Sequence, residues 1–200
     1  WNVVVEAGDA FPQIEPLNEQ SAREFFAAQS YTGVAAIDET VFGLYLLHPN
    51  NIGRCAHVAN ASYAVAKASR GLGLGKALVE DSLRQAVRLG FRGMQFNAVV
   101  ADNEAAIHVC ESLDFKRIGT IPGGFVSGVG NFEDMHIYYR DCMELTSPDL
   151  LAEEMACAEV VDGARADEAL EQEQPKKAKK AKKDKDAKDK KKSKKKKKNA

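Results

Sequence analysis

The sequence predicts an α/β fold in which a mixed sheet is flanked by helices and followed by a charged appendage without a core of its own. Three observations carry this reading. Short apolar or alternating runs that read as strands are interleaved with amphipathic stretches of helical period. A glycine-rich turn, Gly71 to Gly75, stands between one such strand and one such helix. Beyond Pro175 the only apolar residue type left is alanine. With 200 residues, 44% of them hydrophobic, the chain suits one domain that buries a core, plus an appendage.

From the start of the chain, Val3 to Val5 is a short β-like run, followed by Pro12 and Pro16. Asn18 is placed to cap a helix over residues 19–29, with Glu19 in the first turn, where the helix dipole favours negative charge. Residues 33–37 and 41–47 read as a hairpin turning at Asp38-Glu39. After a turn from Pro49 to Gly53, residues 56–66 alternate apolar and polar groups and read as a strand. The glycine turn then opens a helix that places Val79, Leu83, Ala86 and Val87 on one face. That helix ends at Arg88-Leu89-Gly90, a basic last turn and a C-cap glycine.

Residues 94–100 form an apolar strand interrupted by Asn97, and Asp102-Asn103 begins a helix that aligns Ala106, Val109, Cys110 and Leu113. Residues 116–121 and 135–139 read as two more strands around a glycine-rich loop, 122–130. The resulting organisation is a domain over 1–145, an acidic, helical linker over 146–175, and a disordered lysine-rich tail over 176–200. In the tail like charges repel and alanine alone is left to bury, too little for a core.

The formal net charge of −1 conceals a division. From Lys176 to Lys198 sixteen lysines stand against three aspartates, a net of +13, while the rest carries 12 basic and 26 acidic residues, a net of −14. Cys55, Cys110, Cys142 and Cys157 show neither CxxC nor Cys/His ligand spacing, so the sequence supports no metal site, and a chain of this size needs no disulfide framework. The longest apolar runs, such as Phe42 to Leu47, are too short to span a bilayer. Because the chain begins at Trp1 rather than methionine, we expect a processed chain or a fragment.

The central chemical signal is Arg70-Gly71-Leu72-Gly73-Leu74-Gly75-Lys76. A helix N-terminus leaves backbone N–H groups unpaired and carries partial positive charge, and glycines let that backbone approach an anion. The turn therefore suits a pyrophosphate, with Arg70 and Lys76 as countercharge; a tight strand-to-helix turn that binds nothing accounts for the glycines equally well. The spacing is not GxGxxG, and Ala77 after Lys76 excludes a P-loop.

Arg70, Gly73 and Gly75 match Gln/Arg-x-x-Gly-x-Gly/Ala, and in this the chain resembles the GNAT superfamily of N-acetyltransferases. A second stretch, Asn103-x-x-Ala106-x-x-x-Cys110-x-x-x-Asp114-Phe115, is similar to the family's Asn-x-x-Ala-x-x-x-Tyr-x-x-x-Gly-Phe. The resemblance covers residues 18–142. It implies a GNAT-like, mostly antiparallel sheet with one splayed parallel strand pair, and acetyl-CoA as cosubstrate. Acetyl-CoA is then expected at Val65, Arg70, Gly71, Gly73, Gly75, Lys76 and Asn103, with Val65 where the splayed strand meets pantetheine and thioester. Asn103 also reads as a helix N-cap. Where many members carry a tyrosine that protonates the departing thiolate, this chain has Cys110, either a thiol donor or a small core residue.

Asn60 and Asn97 sit inside apolar strand segments, where asparagine is depleted and a buried amide needs partners. Each reads as a bulge or edge residue, or as a site residue. The stretches His48-Pro49-Asn50, His57 to Ala61 and Met94 to Asn97 are similar to the GNAT branch of the fungal azetidine-2-carboxylate acetyltransferases and their bacterial relatives. In that branch the matching asparagines contact substrate, which implies catalytic roles for Asn60 and Asn97. His57 reads either as a base or as an edge histidine.

The implied activity is transfer of an acetyl group to the amine of a small molecule or amino acid, without metal. Two alternatives stay open: a protein acetyltransferase tethered to ribosome or chromatin by its basic tail, and a non-catalytic CoA-binding module. A lysine run attracts nucleic acid or anionic surfaces without sequence preference; a solubility tail is the other reading. The expected location is the cytoplasm, or the nucleus if the tail acts as a localisation signal.

Overall fold

Hydrophobic period decides which face of the sheet each helix covers. The computed structural model describes residues 1–145. The hairpin at Asp38-Glu39 is β1 (Tyr31–Ile37) and β2 (Thr40–Pro49), paired antiparallel from Tyr31 with Leu47 to Ile37 with Thr40. It is followed by β3 (Val58–Val65), α3 (Leu74–Arg88), β4 (Gly93–Val100), α4 (Glu104–Ser112), β5 (Lys116–Val126) and β6 (Phe132–Asp141). Two helices precede the hairpin, α1 (Asn2–Ala7) and α2 (Glu19–Ala27). The strands form a sheet in the order β1-β2-β3-β4-β6-β5, antiparallel at every pairing except the parallel β3–β4.

On one face, α3 buries Val79, Leu83 and Ala86 of its predicted stripe, with Leu78, against Leu47, Ala59 and Met94, while Val87 is only partly buried. Leu47 and Met94 are fully buried, and each side chain of that size contributes roughly 1.5–3 kcal/mol when taken out of water. Cys110 and Leu113 bring α4 onto the same core. Gly33 lies under the Tyr45 ring: a Cβ there would stand 2.1 Å from Tyr45 Cε1, so only glycine lets this ring lie flat on β1.

On the opposite face Val5 of α1 and Phe11 pack with Ala64. Trp1 joins the two N-terminal helices, its ring 4.3 Å from that of Phe11 and 5.1 Å from that of Phe25. Asn18 caps α2 as expected: its side chain accepts from the Ser21 amide at 2.9 Å, and Ser21 Oγ accepts from the Asn18 amide. The Asn2 amide grips Leu17 through both backbone groups, at 2.8 and 2.9 Å, and so fixes where the segment between the helices ends.

Two expectations are corrected. Val3 to Val5 lies in α1, not in a strand: Val5 is 4% exposed and Val3 77% exposed, an amphipathic turn of helix whose inward residue meets Phe11. The glycine-rich stretch 122–130 is not all loop, because β5 slips register between Ile121 and Phe125 and resumes with Phe125 opposite Glu133. The linker predicted for 146–175 and the tail at 176–200 lie outside the described residues. Among the described residues no helix is long and apolar enough to cross a membrane.

Candidate functional site

The parallel pair β3–β4 is joined at only two positions, Val58 with Gly93 and Ala59 with Met94. Beyond them the strands part, β3 staying with β2 as far as Val65 and β4 staying with β6. Ladder geometry turns alternate backbone N–H groups of β3 past Ala59 toward the gap instead of toward a partner strand. The sequence produces the opening through β4: its register against β6 slips between Phe96 and Val99, so Asn97 and Ala98 together oppose Ile137. An extra residue of this kind bends a strand and re-aims its side chains.

At the far end of β3 the gap meets the glycine turn. Ser69 is buried and Arg70 is extended, Gly71 takes φ 77, and Gly73, the N-cap of α3, takes φ 82. A Cβ on Gly71 or Gly73 would have nothing within 4 Å, so these glycines serve a backbone conformation and leave the turn open. The first-turn N–H groups of α3 have no intrahelical acceptor and point out of the helix start, toward that open turn. A Cβ on Gly75 would lie 4.0 Å from Val65 Cγ2, which places the end of β3 directly against the first turn of the helix. Lys76 Nζ stands 3.7 Å from Glu80, and both side chains reach solvent. This cradle suits a phosphate-bearing group: unpaired amides, a positive helix end and adjacent cations.

Asn103 is the N-cap of α4, its Oδ1 accepting from the Ala106 amide at 3.1 Å. The cap leaves the Asn103 NH2 as the part of the side chain that a ligand can meet. Asn97 is held on both sides: Gln95 Nε2 donates to its Oδ1 at 2.8 Å, and its Nδ2 donates to Asn50 Oδ1 at 2.6 Å. Asn60 is half-buried, opposite His48 in the β2–β3 ladder. Ala59, Ala61 and Phe96 pack toward α3 and α4, so strand alternation sends Asn60 and Asn97 to the other face, the one α1 covers.

Cys110 and His57 lie in different surroundings. Cys110 is 4% exposed, and burial pushes its thiol up to about 12, far above the range that matches a leaving thiolate. His57 is exposed and its Nδ1 lies 3.0 Å from the Arg54 carbonyl, closing the turn before β3.

The family model for the Acetyltransferase (GNAT) family matches residues 4–115. This chain belongs to the GNAT family. Among curated relatives, the GNAT domain is similar to N-acetyltransferase aca1 of Schizosaccharomyces pombe, 30% identical over 155 residues, 68% of this chain and 74% of the relative. Among solved structures it is similar to a GCN5-related N-acetyltransferase from Kribbella flavida, at 39% identity and TM-score 0.64 over 70% of this chain and 86% of that one. The structure of yncA from Salmonella typhimurium, solved with its cofactor acetyl-CoA, shares the GNAT fold at 21% identity and TM-score 0.67 over 74% of this chain and 87% of that one.

Within the GNAT fold, Val65, Arg70, Gly71, Gly73, Gly75 and Lys76 come together at one end of the gap, and Asn60 and Asn97 share the face opposite α3. Asn103, the N-cap of α4, follows β4 just as the glycine turn follows its parallel partner β3. The sequence places Asn50 and Gln95 in the stretches that resemble the branch but assigns neither a role. Asn50 reads as a turn former between Pro49 and Asn51, and its contact with Asn97 spans 47 positions, which no local pattern reports.

Proposed function

We propose that the chain transfers an acetyl group from acetyl-CoA to the amine of a small molecule or amino acid. The observation that carries this is the opened parallel pair, which has an anion cradle at one end and neutral amide side chains on the far face. Val65, Arg70, Gly71, Gly73, Gly75, Lys76 and the NH2 of Asn103 are the residues that hold acetyl-CoA, which supplies the acyl thioester. The amine approaches from the α1-covered face. Asn60, Asn97 and backbone N–H groups of β3 near Val65 hold the negative charge that develops on the acyl oxygen. A carbon–nitrogen bond forms as the carbon–sulfur bond breaks; water takes the amine proton and returns one to the sulfur. Orientation and preorganised donors supply most of the rate.

The reading is tested by release of CoA across a panel of amino acids, polyamines and basic peptides, with calorimetry of acetyl-CoA on the wild type and on Gly73→Val. Turnover of a small amine and lost binding in the folded variant are expected, because a β-branched residue neither tolerates φ 82 nor leaves the cradle open. Unchanged affinity in a folded Gly73→Val chain overturns the cradle, and turnover restricted to basic peptides overturns the small-molecule acceptor.

A further inference from the structure

We propose that Asn50 is a positioning residue: by accepting from Asn97 it fixes the sense of the Asn97 amide, so that Asn97 presents an N–H to the acyl oxygen. This rests on the acetyl-transfer reading above and assigns a role to a residue outside the cradle and outside both site strands.

Neither β3 nor β4 contains a charged residue, so the polar side chains these two strands offer on the acceptor face are neutral. A side-chain amide has two ends of nearly the same shape and opposite polarity. Inverted, Asn97 would aim carbonyl lone pairs where negative charge develops. Its neighbours set the sense at both ends. Gln95 Nε2 donates to Asn97 Oδ1, and one hydrogen of Asn97 Nδ2 is given to Asn50 Oδ1, which leaves the second hydrogen as its remaining donor.

Asn50 can hold that position because its own backbone is pinned. It follows Pro49, the last residue of β2, and its amide donates to the Val58 carbonyl at 2.7 Å, at the start of β3. From there its side chain reaches past β3 to the β4 bulge, across the point where the ladder has opened. The contact therefore couples the mouth of the gap to the bulge that makes the gap.

The experiment uses the full chain, acetyl-CoA and an amine that the wild type acetylates. It measures kcat, KM for each substrate, acetyl-CoA affinity and melting temperature for Asn50→Leu and Asn50→Asp. Leucine keeps the size and removes the acceptor; aspartate keeps the acceptor and adds a charge. We expect leucine to lower kcat about tenfold or more at unchanged acetyl-CoA affinity, as misplacing a reacting group does. Aspartate should lose at least about threefold less than leucine, because it still accepts from Asn97, whereas repulsion of the developing oxyanion alone ranks aspartate worse. Wild-type kcat in Asn50→Leu, or aspartate at or below leucine, overturns the proposal. Should Asn50→Leu fail to fold, Asn50→Ala removes the same acceptor without added bulk, and wild-type kcat in that variant overturns the proposal equally. A wild-type chain inactive with every amine overturns the acetyl-transfer reading and this role with it; an active wild type with indifferent Asn50 variants overturns this role alone.

Discussion

The amide of Gly128 donates to the carbonyl of Gly8 over 2.7 Å, tying the segment after α1 to the tip of the β5–β6 hairpin. Gly8 sits at φ 64, and a Cβ there would stand 2.7 Å from Gly128 Cα. Both backbone strain and a backbone clash oppose any side chain. Gly8→Ala is therefore expected to cost at least about 1–2 kcal/mol and lower Tm by several degrees. Because this contact closes over the face from which Asn60 and Asn97 project, acceptor KM should rise several-fold while acetyl-CoA affinity holds. Thermal melts and two-substrate kinetics check this; a wild-type Tm would refute the strain argument.

The order of elements from α2 onward, the glycine turn before α3 and the cap at Asn18 were legible because each has a local cause: period, punctuation or a short side chain beside its own backbone. The opening of β3 from β4 has no such cause in β3. It follows from the bulge at Asn97-Ala98, visible only against β6, so Asn97 reads equally as bulge residue and site residue. Val3 to Val5 failed as a strand because three β-branched residues fit either period until Phe11 and Ala64 select the helix. Pro122 and its glycines marked a true break in the β5 ladder but could not announce that pairing resumes at Phe125.

Cys110 occupies the position where the family pattern has a hydroxyl, yet burial raises its thiol from 9.0 to about 12. A group pushed upward stabilises the folded chain in full below about pH 9, and that contribution is lost as pH rises toward 12. Cys142, raised to about 11 by burial, acts in the same direction. Cys110→Ala should therefore cost about 1 kcal/mol from lost packing while leaving kcat and its pH profile unchanged. Native-state alkylation at pH 8 should label exposed Cys55 quickly and leave Cys110 and Cys142 for the unfolded chain. A fall of kcat in Cys110→Ala at pH 7 would restore the thiol as a proton donor.

Deleting residues 176–200 removes the +13 segment and none of the cradle or amide residues. Turnover of a small amine should stay near wild type, and any RNA or DNA retained at low salt should be lost, since such binding is electrostatic. Steady-state kinetics with a salt-dependent binding assay distinguishes these effects. A large loss of kcat in the shortened chain would place the tail in the active site.

Asn60 and Asn97 differ in one respect that makes their replacement informative. Asn97 is bonded to both Gln95 and Asn50, whereas among the described residues no hydrogen bond joins Asn60 to Asn97. If both act on the acyl oxygen, alanine at either position should lower kcat/KM about 10²-fold or more, the loss that follows removal of one oxyanion donor. Acetyl-CoA affinity should barely change, because the glycine turn is untouched. Stability should separate the two, since Asn97→Ala strips partners from Gln95 and Asn50, a cost of roughly 1–3 kcal/mol if those groups stay dry, while Asn60→Ala orphans no partner. A purely structural asparagine gives the other pattern, lower Tm with near-normal turnover in what remains folded. Kinetics and melts on both variants decide it, and full activity in both removes the asparagines from the mechanism.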